Sequence, residues 1–188
     1  DFLSGNKEIS LNIKNELIEE IIHILTKKSS VLDKGWSHLI SSISPSNFTI
    51  PEQLNGGFRC LQIICTDLFF NLTEDLKLQT IDVVFQYCTQ QIDANVTFSS
   101  IDLVWNTVNG DTSNAIWERV LTRLIKLASK MEAVLKTLFS IIMGNAAKFE
   151  SSLLDFVVAN CFFTLATENN QTAILEIVHV GHTMWDVF

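Results

Sequence analysis

Residues 114–128 read NAIWERVLTRLIKLA, and this stretch decides the fold class. Ile116, Trp117, Val120, Leu121, Leu124 and Leu127 recur at three- and four-residue spacing, the period of a helix with one apolar face. Ser113 or Asn114 is placed to cap its start. Arg119, Arg123 and Lys126 fall four and three residues apart on another face.

The same period extends outward in both directions. Ile13, Leu17, Ile21, Ile24 and Leu25 mark a first helix, about 11–28, and Leu32, Trp36, Leu39, Ile40 and Ile43 a second, stopped near Pro45. The segment 45–53 holds both prolines and reads as a polar loop, with Gly56-Gly57 as a loop pair behind it. Phe58, Leu61, Ile64, Cys65, Leu68 and Phe69 mark a third helix. Thr73 caps a fourth, with Glu74 and Asp75 in its first turn, where acid favours the helix dipole. A fifth begins near Asn95 or Thr97 and carries Phe98, Ile101, Val104, Trp105 and Val108 on its apolar face. Asn109-Gly110-Asp111 is a turn before the sixth. A seventh ends at Gly144-Asn145, an eighth spans about 148–166, and Thr172 opens a ninth.

About nine antiparallel helices joined by short loops pair into hairpins. The odd-numbered helices start near 11, 54, 96, 130 and 171, intervals of about 43, 42, 34 and 41 residues. Those intervals bracket the roughly 40–47 residues of HEAT and armadillo repeats. The expectation is therefore all-α, a HEAT/armadillo-like solenoid, with residues 1–188 as one segment of a larger protein. A compact helical bundle gives a similar pattern and stays open as the alternative. Apolar residues wrap most of the circumference of some helices, as in Val157-Val158-Ala159 with Cys161-Phe162-Phe163. The middle helices of a solenoid need that, because neighbours cover both sides.

Composition narrows the function. Only 7 Gly and 2 Pro in 188 residues leave too few turn formers for a β-sandwich. The net charge of −8 excludes wholesale nucleic-acid binding. The charge is uneven: residues 114–149 hold six Lys/Arg against two Asp/Glu, while the rest holds seven against nineteen. Cys60, Cys65, Cys88 and Cys161 form no CxxC and read as reduced core residues. The N-x-T triplets at Asn47, Asn71, Asn95 and Asn170 lie mostly at helix ends, which favours capping over glycan acceptance. No apolar run reaches the roughly 18–20 residues of a membrane span.

One stretch is familiar. Residues 90–106, QQIDANVTFSSIDLVWN, resemble a signature of the large Arf guanine-nucleotide exchange factors, approximately Q-x-x-D-x-N-I-S-L-T-A-I-G-L-L-W-N. Asn95, Thr97, Asp102 and Trp105 fall within it. Gly35-Trp36, Lys136-Thr137-Leu138-Phe139 and Val178-His179 with His182-Thr183-Met184-Trp185 echo further family segments. The last of these resembles the Mon-two (Ysl-two) scaffolds best, ahead of the Sec-seven and BIG exchange factors. The resemblance implies a cytoplasmic protein, peripheral on Golgi and endosome membranes, working in vesicle traffic. It also implies Arf or Arf-like GTPases and Dopey-type scaffolds as partners, and no cofactor. Ser129-Lys130-Met131-Glu132 departs from the family's D-x-R-x-x-V-R, so the joins near 129–130, 144–148 and 168–182 read as shortened or spliced loops.

No catalytic constellation accompanies the resemblance. There is no G-x-S-x-G, P-loop or G-x-G-x-x-G, so a non-enzyme is expected. His179 and His182 share a helical face but lack the H-E-x-x-H of zincins, and no metal site is expected. A helical enzyme with a histidine metal site is the contrasting class. Trp36, Trp105 and Trp117 lie in phase with apolar faces and read as core, while Trp185 reads as partly exposed. Arg119, Arg123, Lys126 and Lys130 form the candidate contact with anionic lipid or an acidic partner, each cation contributing about 1 kcal/mol beside an anionic membrane. The alternative role is an autoregulatory module that reads a small GTPase or lipid for an attached exchange domain.

Overall fold

The computed structural model describes residues 11–29, 32–109, 113–128, 131–145, 149, 151–162 and 175. All regular structure among the described residues is helical. It comprises α1 (Leu11–Lys27), α2 (Trp36–Ser42), α3 (Pro51–Ile63), α4 (Glu74–Thr89), α5 (Ala94–Val108), α6 (Asn114–Ala128), α7 (Glu132–Asn145) and α8 (Ser151–Phe156). The expected ninth helix lies outside the described residues apart from Leu175, which is helical and exposed. The chain forms two compact units, Asp1–Thr107 and Val108–Phe188.

The first unit is organised by α3. The expected loop over 45–53 is not one loop. Pro45 opens a 3-10 turn (Pro45–Asn47), and Pro51 occupies the first turn of α3, where its fixed φ suits the helix and its missing N–H costs nothing. The turn between them carries a cap: the Asn47 carboxamide donates to the Ser41 and Ser42 carbonyls at 3.0 and 2.9 Å, closing the end of α2.

The glycine pair expected in a loop sits in the middle of α3, where each glycine costs about 1 kcal/mol relative to alanine. The reason is close approach on two sides. A Cβ on Gly56 would lie 2.7 Å from Ile18 Cγ2 of α1. A Cβ on Gly57 would lie 2.6 Å from the Tyr87 hydroxyl of α4 and 2.7 Å from Phe48 Cζ. Tyr87 is fully buried, its hydroxyl donating to the Ile43 carbonyl at 2.7 Å. The end of α2, the middle of α3 and the last turn of α4 therefore meet at one aromatic side chain, with Phe58 tilted against Tyr87 at 5.4 Å between centroids.

Beyond Ile63 the helix widens into a π-turn (Ile64–Leu68) and then a 3-10 turn (Phe69–Asn71). The third helix was expected to run α-helically through Phe69. The change of pitch leaves Ile64, Cys65 and Phe69 buried while Phe70 stands exposed. Phe70 packs edge-on against Phe69, and the Lys77 ammonium lies 5.5 and 5.7 Å from the two ring centres. Thr73 is the N-cap of α4 as expected, but through its backbone: its carbonyl accepts from Lys77 N at 2.9 Å and its side chain makes no cap bond.

In the second unit α6 packs against α7, α8 and the π-turn Val157–Phe162 that continues α8. The residues read from the period, Ile116, Trp117, Val120, Leu121, Leu124 and Leu127, are all buried. Trp117 tilts against Phe149 at 5.3 Å. The buried Asn145 carboxamide donates to the Ile141 carbonyl at 3.0 Å and closes α7. Of the α-helix expected over 148–166, Ser151–Phe156 is α-helical and Val157–Phe162 takes π pitch, while 163–166 lie outside the described residues.

Replacing Gly57 with alanine forces the Phe48 ring or the Tyr87 hydroxyl to move. We expect a net loss of about 1–3 kcal/mol despite alanine's better helix propensity, read as a lower urea midpoint. Gly57→Ala with an unchanged or raised midpoint would contradict the close packing.

Candidate functional site

The signature segment forms the junction between α4 and α5, and its polar letters are engaged there. The Gln90 side chain bridges the turn, its Oε1 accepting from the backbone N–H groups of Ile92 and Asp93 at 2.6 and 3.0 Å. Its Nε2 donates to the Asp93 carbonyl and to Thr97 Oγ1. The buried Thr97 hydroxyl lies 3.2 and 3.3 Å from the Gln90 and Asp93 carbonyls. Asp93 caps α5, with Oδ1 accepting from Asn95 N at 2.9 Å and from Val96 N at 3.4 Å. The helix was expected to begin near Asn95 or Thr97; it begins at Ala94, capped by Asp93, and the signal was the aspartate of Q-x-x-D itself.

Asp93 also reaches α3. Its Oδ2 accepts from Asn55 Nδ2 at 3.2 Å, and Asn55 is held by the Pro51 carbonyl at 2.9 Å. The Asn55 hydrogen bond, followed by that from Asn95 N, holds the Asp93 carboxyl below its ordinary value of 3.8. Three consecutive residues of α3 thus serve three neighbours: Asn55 the start of α5, Gly56 α1, and Gly57 the Phe48–Tyr87 contact.

The remaining signature letters divide between core and surface. Ile101, Val104 and Val108 are buried, Trp105 is half-buried, and Asn95 and Asp102 are exposed. Phe98, expected on the apolar face, is 54% exposed. The buried face of α5 runs through Val96, Ser100, Leu103 and Thr107, which turns Phe98 outward. Trp117 is core as expected, while Trp36 is only half-buried.

Beside the junction lies an open groove of about 440 Å³, walled by Ser44, Pro45, Ser46 and Gln86 and by the turn Thr89–Ile92. Its lining carries no charged side chain. The Ser44 hydroxyl donates to Gln86 Oε1 and contacts Ser46 Oγ at 2.9 Å, so part of its polar inventory is satisfied internally.

On α6, Arg123 and Lys126 are exposed and Arg119 is half-buried, all on the side opposite the core. Lys130 lies outside the described residues, as do His179, His182 and Trp185. The described part of the basic stripe is therefore three cations over two helical turns.

Cys60, Cys65 and Cys88 are buried free thiols, and burial pushes each up to about 12, far from the thiolate that a nucleophile needs. Their expected role as core residues holds, and the Cys161 side chain lies outside the description. Among the described residues no group of three or more His, Cys, Asp or Glu could hold a metal ion, and no helix is long and apolar enough to cross a membrane.

Against known proteins, the MON2 homologue of fission yeast is 41% identical over 50 residues, 27% of this chain. The chain resembles the MON2 proteins. The MON2 homologue of Xenopus laevis is 26% identical over 109 residues, 55% of this chain. These matches span only 3% and 6% of the MON2 homologues' own lengths. No protein-family profile and no solved structure matches the chain.

The junction gives a pH signature. Because Asp93 is depressed in the folded state, its contribution is present above the ordinary aspartate range and fades as pH falls through the lower folded value. Asp93→Ala should lower the urea midpoint at neutral pH, and its gap to the parent should narrow as pH falls below the ordinary aspartate range. Gln90→Ala should cost about 0.5–1.5 kcal/mol, because the freed Ile92 N–H is within reach of water. Asn95→Ala, an exposed letter of the same signature, should change little.

Proposed function

We propose that this chain is a non-catalytic scaffold segment of a MON2-type protein in Golgi–endosome vesicle traffic, one stretch of a HEAT/armadillo-like array. The observation that carries the reading is the similarity to two MON2 homologues from distant organisms, together with helical structure throughout the described residues. The protein works by presenting surfaces: to Arf or Arf-like GTPases and Dopey-type scaffolds, as the resemblance implies, and to anionic membrane. It is cytoplasmic and peripheral on Golgi and endosome membranes.

The basic face of α6 supplies the membrane contact. Arg119, Arg123 and Lys126 stand on one side of a helix whose other side is fully engaged in the core. At about 1 kcal/mol for each cation near an anionic surface, the three give a weak, salt-sensitive attachment that acts together with protein contacts. A second reading, an autoregulatory module of an Arf exchange factor, rests on the same signature. It is separated from the first by nucleotide-dependent capture on Arf-family GTPases.

The test combines co-sedimentation with liposomes containing anionic lipid and pull-down on Arf and Arf-like GTPases in both nucleotide states. Arg119→Glu, Arg123→Glu and Lys126→Glu together should weaken sedimentation without unfolding the protein, as far-UV circular dichroism reads it. Sedimentation equal to the parent's would remove the membrane contact from this reading.

A further inference from the structure

The groove beside the α4–α5 turn is walled in part by the last turn of α4, and that end of the helix is open. Gln90 leaves α4 in extended backbone, with φ −68° and ψ 156°, so the chain turns away from the helix end. The Thr89 hydroxyl serves the Phe85 and Gln86 carbonyls at 3.2 and 3.1 Å. No donor among the described residues reaches the carbonyls of Tyr87, Cys88 and Thr89. These are the last three oxygens of a 16-residue helix, where the dipole gathers about half a negative charge. Thr89 itself walls the groove. Gln90 spends its side chain on the turn, but Gln91 and Ser46 stand exposed along the wall.

We infer that this groove binds a Lys or Arg side chain carried on an extended segment of a partner protein, the cation resting on the carbonyl end of α4 and the segment lying along Ser46 and Gln91. Charge selects this occupant. The two stretches of chain that wall the groove, Leu39 to Phe58 and Leu78 to Glu118, contain no Lys, Arg or His. The second of them carries Asp82, Asp93, Asp102, Asp111 and Glu118. A phosphate or an anionic headgroup would meet the negative end of a helix with no cation beside it. An apolar group would find only Pro45 and Ile92 among the walls to cover it. A cation gains charge-assisted hydrogen bonds, the stronger kind, from carbonyls that the helix leaves over. The open volume of about 440 Å³ lies within the roughly 300–1,000 Å³ of ligand pockets, so a long side chain enters with its flanking backbone. This site goes beyond the contacts proposed above, since it needs neither a membrane nor a GTPase.

The test is amide chemical-shift mapping by NMR on the 188-residue chain, titrated with the blocked tripeptide acetyl-Gly-Arg-Gly-amide and with its Lys and Gln counterparts. The Arg and Lys peptides should shift the amides of Ser46, Thr89, Gln91 and Ile92 saturably, and the Gln peptide should bind there at least about tenfold more weakly. Gln91→Lys sets a tethered cation at the groove wall and should weaken the Arg peptide at least about fivefold. Asn15→Lys makes the same charge change on α1 and should leave its affinity within about twofold. Both positions are exposed, so neither variant disturbs the core. Arg-peptide shifts centred on Glu16, Glu19 and Glu20 would overturn the inference, as would no groove shift at about 10 mM peptide. So would equal binding of the Gln peptide, or an Arg titration that Gln91→Lys leaves unchanged or Asn15→Lys weakens equally. Groove shifts that appear on concentrating the chain alone, together with shifts on α6, would overturn the partner, because the cation would then belong to a second copy. None of these outcomes bears on where the protein works, which the liposome and GTPase experiments decide separately.

Discussion

The first unit depends on one constraint: α3 must let other elements come closer than side chains allow. Gly56 and Gly57 remove the Cβ atoms that would meet Ile18 on one side and Phe48 and Tyr87 on the other. Two glycines inside a helix weaken it intrinsically, so tertiary packing supplies what the local sequence lacks. Burial of Tyr87 with its hydroxyl bonded to Ile43, and of Phe48 beside it, is that compensation. Asn55, one residue earlier, ties the same helix to the cap of α5 through Asp93. The tripeptide Asn55-Gly56-Gly57 is thus a hub from which α1, α4 and α5 take their positions.

This arrangement changes how the most recognisable letters of the chain are understood. Gln90, Asp93 and Thr97 satisfy one another and the backbone of a tight helix junction. Their hydrogen bonds are made inside the fold, where they specify the geometry of the junction. A surface that meets other molecules is better sought on outward faces: the cations of α6, the groove beside Gln91, or the exposed Phe98. These faces are made of common residue types, which is why a family resemblance can be sharp in sequence while the binding surface stays inconspicuous.

Much of the helical pattern was legible in the sequence. The period placed α6 and its core residues, α4 with its start at Thr73, and the close of α7 at Asn145. What the period could not show was pitch. The π-turns after Ile63 and Phe156 come from packing, and no local residue announces them. Glycine and proline misled for a physical reason: both usually mark loops, but Pro51 begins a helix and Gly56-Gly57 thin one for its neighbours. The Asp93 cap was visible in the letters, yet the start of α5 was read slightly late, near Asn95 or Thr97, because those residues are also good cap formers. The basic stripe was read at its observed place on α6, whereas the histidine pair and Lys130 lie outside the described residues.

The measurement that tests the role of α3 most directly is residue-resolved amide hydrogen exchange on the intact chain. If α3 is the hub, amides from Gly57 to Ile64 are the slowest to exchange in the first unit, slower than those of α1, because they open only when the unit unfolds as a whole. Exchange of α3 as fast as α1, or faster, would contradict the account. It would mean that α3 opens locally while its neighbours stay folded, and that the contacts around its glycines do not organise the unit.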